Sequence, residues 1–155
     1  MHPNFTKLTE SLHENFERLV GMPPCSNGSL PKSIPKKGVY LFSENGKHLY
    51  VGRSNNIRNR YAGHTLPSSR QYSAAFAMIL ARRETGRKPS YRQGADSRKG
   101  LMEDVQFCEV FERQKSRIRT MDFRFVEEVR PLEQTLLEIY CAVVLNTEFN
   151  DFDNH

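Results

Sequence analysis

The sequence predicts an α+β fold: a small three-stranded sheet, antiparallel or mixed, that starts with a β-hairpin, is flanked by helices and carries an added N-terminal helix. Three features predict it. Residues 38–52, GVYLFSENGKHLYVG, hold two short β-prone runs around an Asn-Gly turn, a strong short-range hairpin signal. Residues 121–128, MDFRFVEE, alternate apolar and polar as a half-buried strand does. In the other segments, apolar residues recur at helical intervals.

Phe5, Leu8, Leu12, Phe16 and Leu19 recur three or four residues apart, which predicts one amphipathic helix over residues 4–20. The next stretch, GMPPCSNGSLPKSIPKKG, holds four prolines and three glycines and reads as a linker. The expected organisation is therefore a helix and linker over 1–35, a main domain over 36–151 and a tail over 152–155.

Two hairpin registers are open. A two-residue turn at Asn45-Gly46 sets Tyr40 opposite Val51 and mixes polar and apolar groups on each face. A three-residue turn, Glu44-Asn45-Gly46, sets Tyr40 opposite Tyr50. It gathers Val39, Leu41, Leu49 and Val51 on one face, and Tyr40, Phe42, His48 and Tyr50 on the other. A one-residue slip flips a whole strand. The sorting therefore favours the three-residue turn, with the two tyrosines side by side and the apolar face on the core.

A short helix is expected around Ile57–Gly63, and a buried one over 70–85 that ends at Gly86. Residues 86–100 form a basic loop, and 101–120 return to helical spacing. The last helix starts at Pro131, a favoured first position, and runs to about Leu145. Its expected apolar stripe is Leu132, Leu136, Ile139 and Val143.

The chain of 155 residues suits one domain with a sizeable core. Its longest apolar run, Ala74–Ala81, is far too short to span a membrane. MHPNFTKLTE lacks the apolar segment of a signal peptide. Three cysteines without metal-like spacing read as free thiols, so a reducing cytoplasm is the expected location. The formal charge is only +5, but Arg53–Gly100 hold eleven Lys/Arg against two acids. A solvated basic surface is the plain reading. A polyanionic partner, nucleic acid above all, is the functional one.

Arg60 and His64 stand four apart, share a helical face and closely follow the hairpin, which places them near its tyrosines. Glu138 lies off the apolar stripe, beside the small or polar Gln134, Thr135 and Ala142. Singly, each residue has an ordinary reading: packing tyrosines, a solvated arginine, a structural histidine, a surface carboxylate, and Gly38 and Gly52 as strand ends.

Together they resemble the signature of the GIY-YIG nuclease superfamily. GVY is followed ten residues on by YVG, then by NNIRNR. Val39 replaces the family's isoleucine with another β-branched residue. An arginine ten residues after the second tyrosine is here Arg60, and a histidine four further on, found in several branches, is His64. The basic residue after YIG is Arg53. A metal-binding glutamate on a later helix, with an asparagine twelve residues beyond, matches Glu138 and Asn150 in LLEIYCAVVLNTEFN. Asn146 competes with Asn150, and Glu133 with Glu138. Glu133 falls in the first helical turn, where the helix dipole already explains an acid, and lies between apolar positions. The resemblance covers about residues 36–151.

The resemblance implies a metal-dependent endonuclease hydrolysing phosphodiester bonds in DNA, with RNA left open. It implies one Mg2+ (or Mn2+) held mainly by Glu138 and water. Arg60 would contact the scissile phosphate. Tyr40 would act as general base or orient the water, with Tyr50 in support. Arg53, His64 and the metal would favour the Tyr40 phenolate, or His64 would take the proton or orient Tyr40. Asn150 would brace the site or hold a phosphate. Arg53, Asn55, Arg58, Arg87, Lys88, Arg92 and Asn150 are the expected nucleic-acid contacts. The alternatives are a non-catalytic nucleic-acid-binding module and a nuclease subunit that needs a partner protein. A restriction enzyme of this size is expected to need a homodimer to cut both strands; the apolar face of helix 4–20 is available for it, though packing of that face on its own domain is the favoured expectation. Repair, restriction or defence, and mobile-element cleavage remain open as roles.

Overall fold

The computed structural model describes residues 1–90 and 92–153. The basic loop 86–100 at residue 91 and the tail 152–155 at residues 154–155 lie outside the described residues. In chain order the elements are α1 (Pro3–Thr9), α2 (Leu12–Gly21), β1 (Gly38–Glu44), β2 (Lys47–Ser54), α3 (Ile57–Thr65), α4 (Ala75–Thr85), α5 (Arg98–Leu101), α6 (Val105–Thr120), β3 (Asp122–Glu127) and α7 (Pro131–Leu145). They form two compact units. One holds Met1–Asn59 with Met121–Asn150, the other Arg60–Thr120 with the residues from Asp151.

The first unit is built on an antiparallel sheet of order β2-β1-β3. Strand alternation sends Val39, Leu41, Val51 and Val126 to one face. There they pack with Leu12 and Leu19 of α2 and with Leu137 and Cys141 of α7. Burial pushes the Cys141 thiol up to about 12, so it serves as a small apolar filler.

The hairpin adopts neither expected register. Asn45 and Gly46 take φ of 52° and 77°, the two-residue turn that matches strand twist. Ser43 then faces His48, but an irregularity between Phe42 and Ser43 adds one residue to β2. Beyond this bulge, Phe42 faces Tyr50, and Tyr40 faces Gly52 instead of Tyr50. The extra residue restores the parity, so Val39, Leu41 and Val51 still share one face while Tyr40, Phe42 and Tyr50 share the other. His48 leaves the tyrosines and sits 2.8 Å from the Ser43 hydroxyl. A bulge thus lets the tight Asn-Gly turn coexist with sorted faces.

Three helical expectations change. The single helix over 4–20 is two, α1 and α2, and the second begins after Ser11, whose side chain makes no capping bond. Leu12 and Leu19 are buried, whereas Phe5 is exposed. Helix α7 has the expected span, but Leu132, Ile139 and Val143 point outward. Its buried face is Glu133, Gln134, Leu137 and Cys141. Polar groups can occupy such a face because they are bonded. The Gln134 amide donates to the carbonyls of Ser54 (3.3 Å) and Glu128 (2.9 Å), and Glu133 pairs with Arg130 at 3.0 Å.

The proline-rich stretch is more than a connector. Cys25 pairs with Phe123 of β3 through two backbone hydrogen bonds, of 2.8 and 2.7 Å. The buried Glu128 carboxylate accepts from Asn15 of α2 at 3.2 Å, tying the N-terminal segment to the strand-to-helix junction.

In the second unit α4 packs on α6. Phe76, Ala77 and Leu80 of α4, and Phe107, Phe111 and Ile118 of α6, are buried. Residues 70–73 form a turn, so α4 begins at Ala75, and it ends as expected at a left-handed Gly86. The expected 101–120 helix is interrupted. Asp104 starts α6 by accepting from the backbone N–H groups of Gln106 (2.9 Å) and Phe107 (3.2 Å). Buried Arg82 donates to the carbonyls of Lys88 and Asp96 and so roots the basic segment.

Candidate functional site

In the first unit the candidate residues gather at the far end of β2, away from the turn. Tyr40 is 1% exposed and packs among Phe42 (ring centroids 5.9 Å), Phe123 (5.7 Å) and Tyr50 (6.4 Å). Its ring lies across Gly52. A β-carbon at Gly52 would overlap the Tyr40 hydroxyl and the ring carbon that bears it. Gly52 is therefore not merely a strand end: its missing side chain is the slot for the phenol.

Arg53 follows Gly52 and, as the partner of Val39, faces the α7 side of the sheet. Its Nε donates to Glu138 Oε2 at 2.9 Å. The tyrosine rings project from the opposite face, and the Tyr40 hydroxyl meets bare backbone at Gly52. Phenol and ion pair thus flank consecutive residues of one strand. Gln134, one turn before Glu138 on α7, holds the Ser54 carbonyl just beyond them. Nothing in the residue pattern marks this role, because a glutamine on an otherwise apolar helix reads as surface.

Asn150 braces the edge strand. Its amide accepts from the Val51 N–H and donates to the Val51 carbonyl, both at 2.8 Å, and the Thr147 hydroxyl donates to it at 2.7 Å. The Phe149 N–H adds a bond to the Leu49 carbonyl at 3.1 Å. Asn146, the competing asparagine, is the left-handed cap of α7 (φ 49°). The competing Glu133 is committed to Arg130.

Helix α3 starts where Asn56 Oδ1 accepts from the Asn59 N–H at 3.1 Å. The Ile57 N–H donates to the Lys36 carbonyl (2.9 Å), which anchors the helix start to the entrance of β1. Arg60 and His64 follow on this helix in the second unit. Arg60 Nη1 donates to the Ser73 carbonyl at 3.2 Å. His64 is buried, and burial, with a smaller push from the Arg60 guanidinium, lowers its pKa to about 3. It is neutral at pH 7, so it brings no positive charge to a phenolate and is a weak base.

The remaining expected nucleic-acid contacts divide by unit. Arg53, Asn55 and Arg58 are exposed in the first. The Arg58 guanidinium is held by the carbonyls of Pro31 and Lys32, a positioning contact that the sequence did not indicate. Lys88 and Arg92 are exposed in the second. Arg87 there pairs with Asp96 (2.9 Å) and Asp104 (3.2 Å), which spends much of its charge within the unit.

Among the described residues no three His, Cys, Asp or Glu side chains converge as metal ligands. Glu138 offers one carboxylate, partly open to solvent. A single hard oxygen donor fits Mg2+ or Mn2+, which keep much of their water, and does not fit zinc. The donor set therefore fits the implied ion, with Arg53 as its competitor for the carboxylate.

The hairpin-led antiparallel sheet carries an arginine–glutamate pair on the strand that slots Tyr40. The family model of the GIY-YIG catalytic domain matches residues 36–134, more than half of the chain. The chain belongs to the GIY-YIG family of nucleases. No curated protein and no solved structure matches it. Among the described residues no helix is long and apolar enough to cross a membrane.

Proposed function

We propose that this protein is a divalent-metal-dependent endonuclease that hydrolyses DNA phosphodiester bonds at the Gly52–Arg53 end of β2. One observation supports the reading above others: the Tyr40 hydroxyl is slotted against Gly52, next in the chain to an Arg53 bonded to Glu138, the carboxylate that the family signature implies as metal ligand.

Hydrolysis removes a proton from the attacking water, adds charge to the phosphate and needs relief at the departing oxygen. Tyr40 would orient that water and take its proton. A free tyrosine ionises at roughly pH 10, so this role needs a cation near the phenol, and neutral His64 does not supply it. Glu138 would hold Mg2+ or Mn2+, which would supply positive charge to the phosphate and the departing oxygen. Tyr50 packs the Tyr40 ring; the phosphate contact that the family signature implies for Arg60 falls on a residue of the second unit. Asn150 and Gln134 fix the two flanks of this strand end.

An end-labelled duplex oligonucleotide incubated with Mg2+, Mn2+ or EDTA tests the proposal. The expected result is cutting with metal and binding alone in EDTA. Salt-sensitive binding with no cutting under any metal would sink the stand-alone enzyme and favour a binding module or a partner-dependent subunit.

A further inference from the structure

We infer that Tyr72, backed by Arg98, is a stacking platform for an unpaired base, so that the second unit selects nucleic acid with a single-stranded segment over plain duplex. The choice of DNA as the polymer rests on the proposed nuclease reading; the platform rests on its own geometry.

Tyr72 is 64% exposed, in the turn that joins α3 to α4. An aromatic ring this open buries little and adds little to the fold. Yet it is held in place. The Ser73 and Ala74 N–H groups both donate to the Arg70 carbonyl, at 3.0 and 2.9 Å, which fixes the turn. The Arg98 guanidinium lies 5.9 Å from the ring centroid, and its Nη1 reaches the Gln71 carbonyl at 3.5 Å. One side of the ring is thereby occupied by a cation that fixes its tilt, while much of the rest faces solvent.

The surrounding charge suits a phosphodiester strand. Arg70 and Lys99, neighbours of Tyr72 and Arg98 in sequence, are exposed. Residues 70–83 contain no acid. The Asp96 carboxylate is engaged by Arg87. Glu112 reaches the stretch before this turn only as the ion-pair partner of Lys115 (2.8 Å), whose amine also holds the carbonyls of Pro67 and Ser69. Duplex DNA offers phosphates to such cations but keeps its base faces stacked out of reach. An unpaired base offers a π-face, and stacking on an exposed aromatic ring beside cations is how strands are held without sequence readout.

The test is fluorescence anisotropy in EDTA, where cutting cannot intervene, with a labelled oligo(dT) strand and a blunt duplex of equal length. Wild type is compared with Tyr72→Ala and Tyr72→Phe. The alanine variant should weaken strand binding about ten- to a hundredfold and duplex binding less than about twofold, while phenylalanine stays within about threefold of wild type on both probes. An alanine variant that binds both probes as wild type does, or loses both by the same factor, overturns the platform, as does a wild type that binds no single strand. Plasmid cutting in Mg2+ is read separately. Its absence in wild type counts against the nuclease reading alone, and lost strand preference with cutting intact marks the ring itself.

Discussion

The Tyr40 hydroxyl lies against the α-carbon of Gly52, in the space that a β-carbon would fill. This contact, and not a face-to-face pairing of two tyrosines, joins the GVY and YVG runs into one site. Tyr50 sits two pairs further along, opposite Phe42, and reaches the Tyr40 ring diagonally.

Gly52→Ala should therefore overpack the slot, lower stability by about 1–3 kcal/mol and remove DNA cutting. The same substitution in a Tyr40→Ala background should cost clearly less, because the clashing ring is gone. Urea unfolding of the four proteins gives the coupling energy. Additive costs would show that the overlap is relieved elsewhere.

The Arg53–Glu138 pair makes opposite demands on stability and chemistry. Arg53 is 45% exposed, so the pair contributes no more than about 1 kcal/mol. Arg53→Gln should leave unfolding nearly unchanged while releasing the Glu138 carboxylate. Titrating Mg2+ against cutting rate should then show half-saturation at lower metal, with a maximal rate at least about tenfold lower. A rise in the metal requirement would mean that Arg53 positions the carboxylate instead of competing for it.

Asn150→Ala removes both amide bonds to Val51, in a place where water can take them over. A loss of about 1–2 kcal/mol is expected, with faster hydrogen exchange at the Val51 amide. Asn150→Asp should be worse at neutral pH, because its carboxylate faces the Val51 carbonyl, and should recover partly in acid. Equal exchange at Val51 in wild type and the alanine variant would remove the bracing role.

His64 gives the protein an acid weakness. Its native pKa of about 3 lies below the unfolded value of roughly 6.5. Above that unfolded value the imidazole is neutral in both states and contributes nothing. As pH falls below it, the unfolded chain binds a proton that the native one refuses, and stability drops by up to about 1.4 kcal/mol per pH unit. Wild type should therefore lose roughly 2–3 kcal/mol more than His64→Gln between pH 7.5 and 4.5 in urea titrations. Parallel losses would place the acid sensitivity elsewhere.

The faces of the hairpin could be read from the sequence, because Val39, Leu41 and Val51 alternate with Tyr40, Phe42 and Tyr50. The register could not. One bulge residue changes the partner of Tyr40 while leaving parity intact, and no residue type marks it. Helix α7 shows a different limit. Leu132, Ile139 and Val143 have core spacing, yet Glu133 and Gln134 are inside, because hydrogen bonds to Arg130, Ser54 and Glu128 make burial tolerable. Periodicity counts apolar atoms and cannot see long-range bonds. Arg53, Glu138 and Asn150 were singled out by the family resemblance, whereas the neutrality of His64 and the Arg58 contact to Pro31 and Lys32 depend on tertiary burial.

The most direct measurement is conversion of supercoiled plasmid by wild type, Glu138→Ala and Tyr40→Phe, each with Mg2+, Mn2+ and EDTA. The account predicts nicked or linear product from wild type with metal only, and rates at least about a hundredfold lower from both variants. Equal cutting by Glu138→Ala, or cutting that persists in EDTA, would contradict it.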